Sequence, residues 1–223
     1  VATPLRIYYL CRFEPPLGLP QRTPLYGEHL RLAGKQAIVN FAGWEMPVWY
    51  TSISEELKAV RERAALFDLA HMGVFEISGP RSTRFLDLVT TNYVPRLEVG
   101  EAQYSSVLDP DGNIIDDIFI YKRDDERYMV VANALNADKV EAWLRAVASR
   151  EVVIDREHPF KEVDATAEIR NLKDRSAGAD MRVNMALQGP KSLAILRRGL
   201  RETDAKRVAK LKKTEFVEGQ VGG

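Results

Sequence analysis

Residues 109–121 constrain this chain more than any other stretch. Asp109-Pro110-Asp111-Gly112-Asn113 is a tight-turn signal, and Ile114-Ile115-Asp116-Asp117-Ile118-Phe119-Ile120-Tyr121 follows it as a largely apolar run. A turn directly ahead of such a run commits the chain to antiparallel strands, here 104–108 and 114–122. Two adjacent carboxylates, Asp116 and Asp117, lie inside the second strand. Successive side chains on a strand point to opposite faces. One aspartate therefore faces the apolar layer and the other faces away. A carboxylate in an apolar layer needs a partner or hydrogen bonds. That need makes the pair a candidate site. Acidic residues beside a turn are also commonly just solvated, and at this level both readings stand.

The charge balance narrows the function classes. Lys plus Arg and Asp plus Glu each number 32 in 223 residues, for a net charge of zero. A general nucleic-acid binder would show a basic surplus or stripe. The single cysteine, Cys11, leaves no internal disulfide and no thiolate cage. His29, His71 and His158 lack metal-ligand spacing, so no metal site is expected. No apolar run reaches membrane-spanning length. Arg12 and Glu14 interrupt the apolar knot Ile7-Tyr8-Tyr9-Leu10-Cys11, and no small-residue cleavage site follows, which makes a poor signal peptide. The expectation is a cytoplasmic chain with no nucleic-acid and no membrane partner. Its length allows a proper core in one or two domains.

Periodicity then places the elements. Residues 1–20, with Pro15, Pro16 and Pro20, read as a loose N-terminal arm. A short helix is expected over 25–33 and a strand over 37–42. Ser52-Ile53-Ser54-Glu55 is a capping-box pattern, opening a helix that buries Leu57, Val60, Ala64 and Ala65. Residues 67–78 alternate as a strand or a bent strand pair. Gly79-Pro80 ends it, with Pro80 at the first position of a helix to about 89. Three strands, 104–108, 114–122 and 128–132, form a β-meander. A helix follows with Val140, Trp143, Leu144 and Val147 on one face. A short strand is expected at 152–154, a polar excursion over 156–181 and a strand over 183–187. Helices are expected to about 200 and over 205–213, the basic face of the last being solvated. Ile77-Ser78-Gly79-Pro80-Arg81-Ser82 echoes Leu187-Gln188-Gly189-Pro190-Lys191-Ser192, either as a duplicated unit or as a shared corner geometry. Residues 215–223 read as the way into a strand or hairpin, as in a fragment. The pattern alone supports mixed α and antiparallel β.

Several segments, in this order, resemble the T-protein of the glycine cleavage system, an aminomethyltransferase. They are Arg22-Thr23-Pro24-Leu25-Tyr26, Phe41-Ala42-Gly43-Trp44-Glu45-Met46-Pro47-Val48-Trp49-Tyr50 and Ala65-Leu66-Phe67-Asp68-Leu69-Ala70-His71-Met72-Gly73. Residues 112–121, Val130-Val131-Ala132-Asn133-Ala134 and Ala186-Leu187-Gln188-Gly189-Pro190 complete the set. The resemblance implies an α+β fold of the folate-binding aminomethyltransferase kind. An antiparallel β-meander sheet with flanking helices, 76–155, would be inserted in a discontinuous α+β first domain, 21–75 plus 156–223. The family's Arg-Thr-Gly-Tyr-Thr-Gly-Glu and Gly-Leu-Gly-Ala-Arg-Asp segments do not occur here. The expectation is therefore an incomplete first domain and an absent C-terminal β-barrel domain.

The resemblance also implies a reaction. An aminomethyl group on the lipoyl arm of a partner H-protein passes to tetrahydrofolate, a co-substrate, and ammonia is released without a metal. Asp117 matches the family's catalytic aspartate, and Asp116 is assigned to structure. Tyr104 and Tyr121 match positions lining the folate cavity, although strand tyrosines also simply pack. Met72 matches a residue against the pterin, where a core methionine is the plainer reading. Asn133 matches a pterin-edge contact or is a structural asparagine. Two other functions share this fold. One is another folate-dependent one-carbon transferase or demethylase, including the folate domain of a sarcosine or dimethylglycine dehydrogenase. The other is a non-catalytic folate-binding fragment.

Overall fold

The computed structural model describes residues 18–158, 161, 163 and 166–221. It divides into two compact units, one of Met72–Arg182 and one of Pro15–His71 with Val183–Gly223, over their described parts. The expected boundaries were 76 and 155. Most of the expected arm, 1–17, lies outside the described residues.

The outer unit opens with α1 (Tyr26–Ala33), which buries His29 and Ala33. Strands β1 (Ile38–Phe41) and β2 (Trp44–Pro47) follow as a hairpin. Its two-residue loop has positive φ at both positions, Ala42 at 51° and Gly43 at 82°, the twist that hairpin strands accept. Helix α2 (Ile53–Glu62) starts where the capping pattern placed it, with the Ser52 side chain accepting from the Glu55 N–H at 3.2 Å. The returning carboxylate is Glu56 rather than Glu55. It accepts from the backbone of Tyr50 and Thr51 at 2.6 and 2.9 Å. Leu57 does not join a core: it is 56% exposed, and α2 has no buried residue. The helix contacts β3 (Ala65–Asp68), which belongs to a two-stranded ladder too narrow to cover an apolar helix face.

A buried polar cluster ties the start of this unit to β3. The Asp68 carboxylate accepts from Thr23 Oγ1 at 2.6 Å, lies 2.7 Å from His29 Nε2 and accepts from the Ala70 N–H at 2.8 Å. The Tyr50 hydroxyl meets His29 Nδ1 at 2.8 Å. Burial opposes the charge on Asp68, but these hydrogen bonds outweigh it and hold the carboxyl below its usual range.

The middle unit is a five-stranded antiparallel sheet with two α-helices on one face and a short 3-10 helix, Arg175–Asp180, packed on part of the other. Its elements are β4 (Gly73–Ser78), α3 (Ser82–Val89), β5 (Ala102–Leu108), β6 (Ile114–Asp124), β7 (Arg127–Ala132), α4 (Ala137–Ala148) and β8 (Glu168–Asn171). The strand order is β5-β6-β7-β4-β8, and the meander stands as expected. Phe75, Ile77, Ile118, Ile120, Tyr128 and Val130 form one face. They pack with Phe85 and Leu86 of α3 and Val140, Leu144 and Val147 of α4 in a single core. Pro80 is not the first helical residue. Helix α3 begins at Ser82 behind Arg81, after Gly79 at φ 113°.

Strand β8 explains why this unit runs past 155. It pairs with β4 from Phe75↔Asn171 to Ser78↔Glu168, so part of the expected polar excursion is the sheet's edge. No strand forms at 152–154, though Val152 and Ile154 pack against the core. On the face away from α3 and α4, Glu76 is 2% exposed and ringed by arginines. It meets Arg123, Arg127 and Arg170 at 2.9, 2.8 and 2.8 Å. A buried carboxylate persists only with such partners.

The chain then returns to the outer unit. Strand β9 (Met185–Gln188) pairs antiparallel with β3, and α5 (Ser192–Arg198) and α6 (Glu202–Val208) follow. The corner ahead of α5 repeats the one ahead of α3, with Gly189 at φ 120°. Here a side chain is sterically barred, since a Cβ would lie 2.7 Å from the carbonyl oxygens of Val60 and Arg63. Among the described residues, 215–221 hold no strand; they hold single bridge positions at Glu215 and at Val221, the latter paired with Leu200.

Two outcomes are expected. Leu144→Ala lowers stability in urea by about 2–5 kcal/mol, whereas Ile114→Ala at the 69% exposed start of β6 stays within about 0.5 kcal/mol. Because the Asp68 pKa is depressed by folding, its contribution is full above the unfolded value of about 4 and is lost as pH falls through the folded value. Acid unfolding of Asp68→Asn, followed by circular dichroism, should lack that portion of the slope.

Candidate functional site

The turn before β6 is held by Asp109. Its carboxylate accepts from the backbone of Asp111 and Asn113, each at 2.9 Å, and from Asn113 Nδ2 at 3.0 Å. Burial works against its charge, and these bonds still keep its pKa below the ordinary carboxylate value. Gly112 takes φ 82° there. The turn fixes the β5–β6 register, which shifts once, so that Leu108 faces Ile114 and Val107 faces Asp116. Beyond that bulge strict alternation begins. Asp116, Ile118 and Ile120 are buried; Asp117 and Phe119 are exposed.

The two aspartates do opposite things. Asp116, 2% exposed, accepts from the Asn133 backbone N–H at 2.8 Å, from Asn133 Nδ2 at 3.0 Å and from Asn136 Nδ2 at 2.8 Å. The structural assignment made from alternation fits this geometry. Asp117 lies on the face away from α3 and α4, where β6 is exposed. It accepts from Asn133 Nδ2 at 3.0 Å through Oδ1 and at 3.1 Å through its backbone oxygen.

The register places the other candidates around Asp117. Tyr104 pairs with Phe119, and their rings meet edge-on at 5.7 Å. Phe119 and Tyr121 lie 6.0 Å apart between centroids. Ile118 pairs with Ala132 and Ala132 with Gly73, so Asp117, Asn133 and Met72 come next along one row of strand ends. Gly73 is the close approach in the neighbouring row, with Ala132 and Ile118, since a Cβ would lie 2.7 Å from Ala137 Cβ at the start of α4. All five candidates therefore sit in the middle unit, on or beside one sheet face. Tyr121 is the outlier, reached from Asp117 through Phe119.

Electrostatics links two of them. Tyr104 is 53% exposed, yet its phenol is held above the usual range. Desolvation is the largest cause, followed by the neighbouring Asp117 carboxylate and the charge of Asp116. Burial raises the Tyr121 phenol. The face thus offers a fixed carboxylate at one end of an aromatic strip. Such a surface suits a flat, hydrogen-bonding ligand that develops positive charge.

Two residues of this arrangement were not singled out from sequence. Phe119 is reached by counting in twos from Asp117, and that alternation was sufficient to find it. Asn136 carried no local signal, because its partner is 20 positions earlier. Among the described residues no group of three or more His, Cys, Asp or Glu is placed to hold a metal ion, and no helix is long and apolar enough to cross a membrane. In a titration followed by NMR of the tyrosine ring carbons, Asp117→Asn should move Tyr104 down toward the ordinary phenol value and leave Tyr121 unmoved.

Comparison with known proteins places the chain. The GCVT N-terminal domain family matches residues 28–223. An aminomethyltransferase of Symbiobacterium thermophilum is 42% identical over 176 residues, 79% of this chain and 42% of that protein. One of Bacillus subtilis is 38% identical over 198 residues, 89% of this chain and 47% of its own. The crystal structure of glycine cleavage system aminomethyltransferase T from Bartonella henselae superposes with a TM-score of 0.71 at 29% identity, covering 91% of this chain and 48% of that one. The chain spans about half the length of the curated relatives it matches. The antiparallel sheet, its flanking helices and a match over nearly the whole described length lead to one assignment: the chain belongs to the GCVT N-terminal domain family.

Proposed function

We propose that this chain works in aminomethyl transfer within a glycine cleavage system, passing a one-carbon unit from the aminomethyl-lipoyl arm of an H-protein to tetrahydrofolate. The observation that carries this reading is the Asp117 carboxylate, tethered on an open sheet face beside Tyr104 and Phe119. The relatives' names support an aminomethyl donor over the methylated amines used by other folate enzymes. Their bacterial sources support a cytoplasmic setting.

In this reading the carbon exchanges its C–S and C–N bonds for two bonds to folate nitrogens. The two protons lost from those nitrogens end on the lipoyl thiol and on ammonia. As the thiol leaves, the carbon becomes iminium-like and cationic. The Asp117 carboxylate stabilises that charge and orients the folate nitrogen that attacks. Tyr104, Phe119 and Tyr121 supply flat surface for the ligand's rings. Met72 packs at the row's end. Asn133 has its amide nitrogen committed to the two aspartates, so a pterin contact falls to its carbonyl oxygen. The chemistry asks for no metal.

Calorimetry with 5-formyltetrahydrofolate tests this, with the Bacillus subtilis relative as reference. Saturable binding is expected, weakened about 3- to 10-fold in Tyr104→Ala, the scale of one aromatic contact. Binding to the relative but not to this chain would mean that this half does not hold folate by itself. Binding to neither would sink the folate reading.

A further inference from the structure

Asp116 does more than satisfy itself. Both of its carboxylate oxygens are engaged by one residue, Oδ2 by the Asn133 backbone N–H at 2.8 Å and Oδ1 by Asn133 Nδ2 at 3.0 Å. Asn136 Nδ2 adds a third bond at 2.8 Å to Oδ1. A two-point grip on backbone and side chain of the same residue leaves that side chain a single orientation. The Asn133 amide nitrogen is thereby aimed at Asp117, where it meets Oδ1 at 3.0 Å and the backbone oxygen at 3.1 Å. An exposed aspartate on a strand would otherwise sample several rotamers. Here one is favoured by an amide that cannot turn away.

We propose that Asp116 is a positioning residue that acts through Asn133, with Asn136 as its brace, to fix the orientation of the Asp117 carboxylate toward the ligand. The functional part of this rests on the folate reading above; the tether itself does not. The arrangement divides the adjacent pair by task. The buried aspartate is a rigid acceptor and the exposed one presents its charge. The interposed amide donates to both, which lets two carboxylates stay adjacent without facing each other directly.

Tyr104 reports on the orientation, because the neighbouring Asp117 carboxylate helps to hold its phenol above the usual range. Asn133→Ala removes a neutral group and leaves both aspartates in place. If Asn133 orients Asp117, the Tyr104 phenol in this variant titrates lower, toward its value in Asp117→Asn. Asp116→Asn, which keeps the size of the side chain but sets an amide against an amide, also removes a charge that itself raises the Tyr104 phenol, so here the fall should exceed that seen when Asn136→Ala leaves the charge in place. It should also speed exchange of the Asn133 side-chain amide protons. Affinity for 5-formyltetrahydrofolate should fall at least about tenfold in both, the scale of a misplaced charged group. Circular dichroism identifies any variant that fails to fold, and Asn136→Ala then serves as the milder perturbation. Tyr104 titrating as in the parent chain in every folded variant would overturn the tether. A lowered Tyr104 titration in the variants, with 5-formyltetrahydrofolate bound neither by the parent chain nor by the Bacillus subtilis relative, would keep the tether and reject the functional reading.

Discussion

The pairing of β6 with β5 on one side and β7 on the other is the constraint from which the rest follows. It makes β6 a central strand with both edges paired, and its two faces differ: one is covered by α3 and α4, while on the other Asp117 and Phe119 are exposed. Every property of the candidate site derives from that difference. Asp116 enters the covered face and must be saturated with donors, while Asp117 enters the open face with its charge presented. The Asp109 turn and the single register shift after it decide which aspartate gets which face. A one-residue slip there would exchange them.

Much of this was legible in the sequence. The turn, the meander, the α4 stripe and the opposition of Asp116 and Asp117 are local patterns, set by residues a few positions apart. Periodicity reports which face of an element prefers burial. It does not report what the element packs against, and this is where reading failed. Leu57 has the right spacing for a buried face but meets only a two-stranded ladder. Glu168–Asn171 looks polar because β8 is an edge strand, and its partner β4 lies some ninety positions away. Residues 152–154 are apolar enough for a strand but supply packing without a ladder. Asn133 was legible as a polar residue at a strand end; its role between two carboxylates was not, because both partners come from another strand.

Family membership and geometry contribute different things here. The match over residues 28–223 and the superposition on the Bartonella henselae structure establish what kind of chain this is. They do not say how a side chain is held. The hydrogen bonds around Asp116 and the ring contacts of Tyr104, Phe119 and Tyr121 carry that information, and they turn a position in a motif into a physical device.

The Glu76 cluster has a bearing on how the sheet finds its alignment. Arg170 faces Glu76 directly across β8, Arg127 reaches it from β7, and Arg123 reaches it from β6. One carboxylate thus reads the registration of three strands at once. Shifting any of them by a single residue would swing a guanidinium toward the greasy side beneath α3 and α4, at a cost that no alternative pairing repays. The cluster thus works as a registration key: a misaligned sheet carries a trapped charge under the two helices, and only the native alignment avoids it.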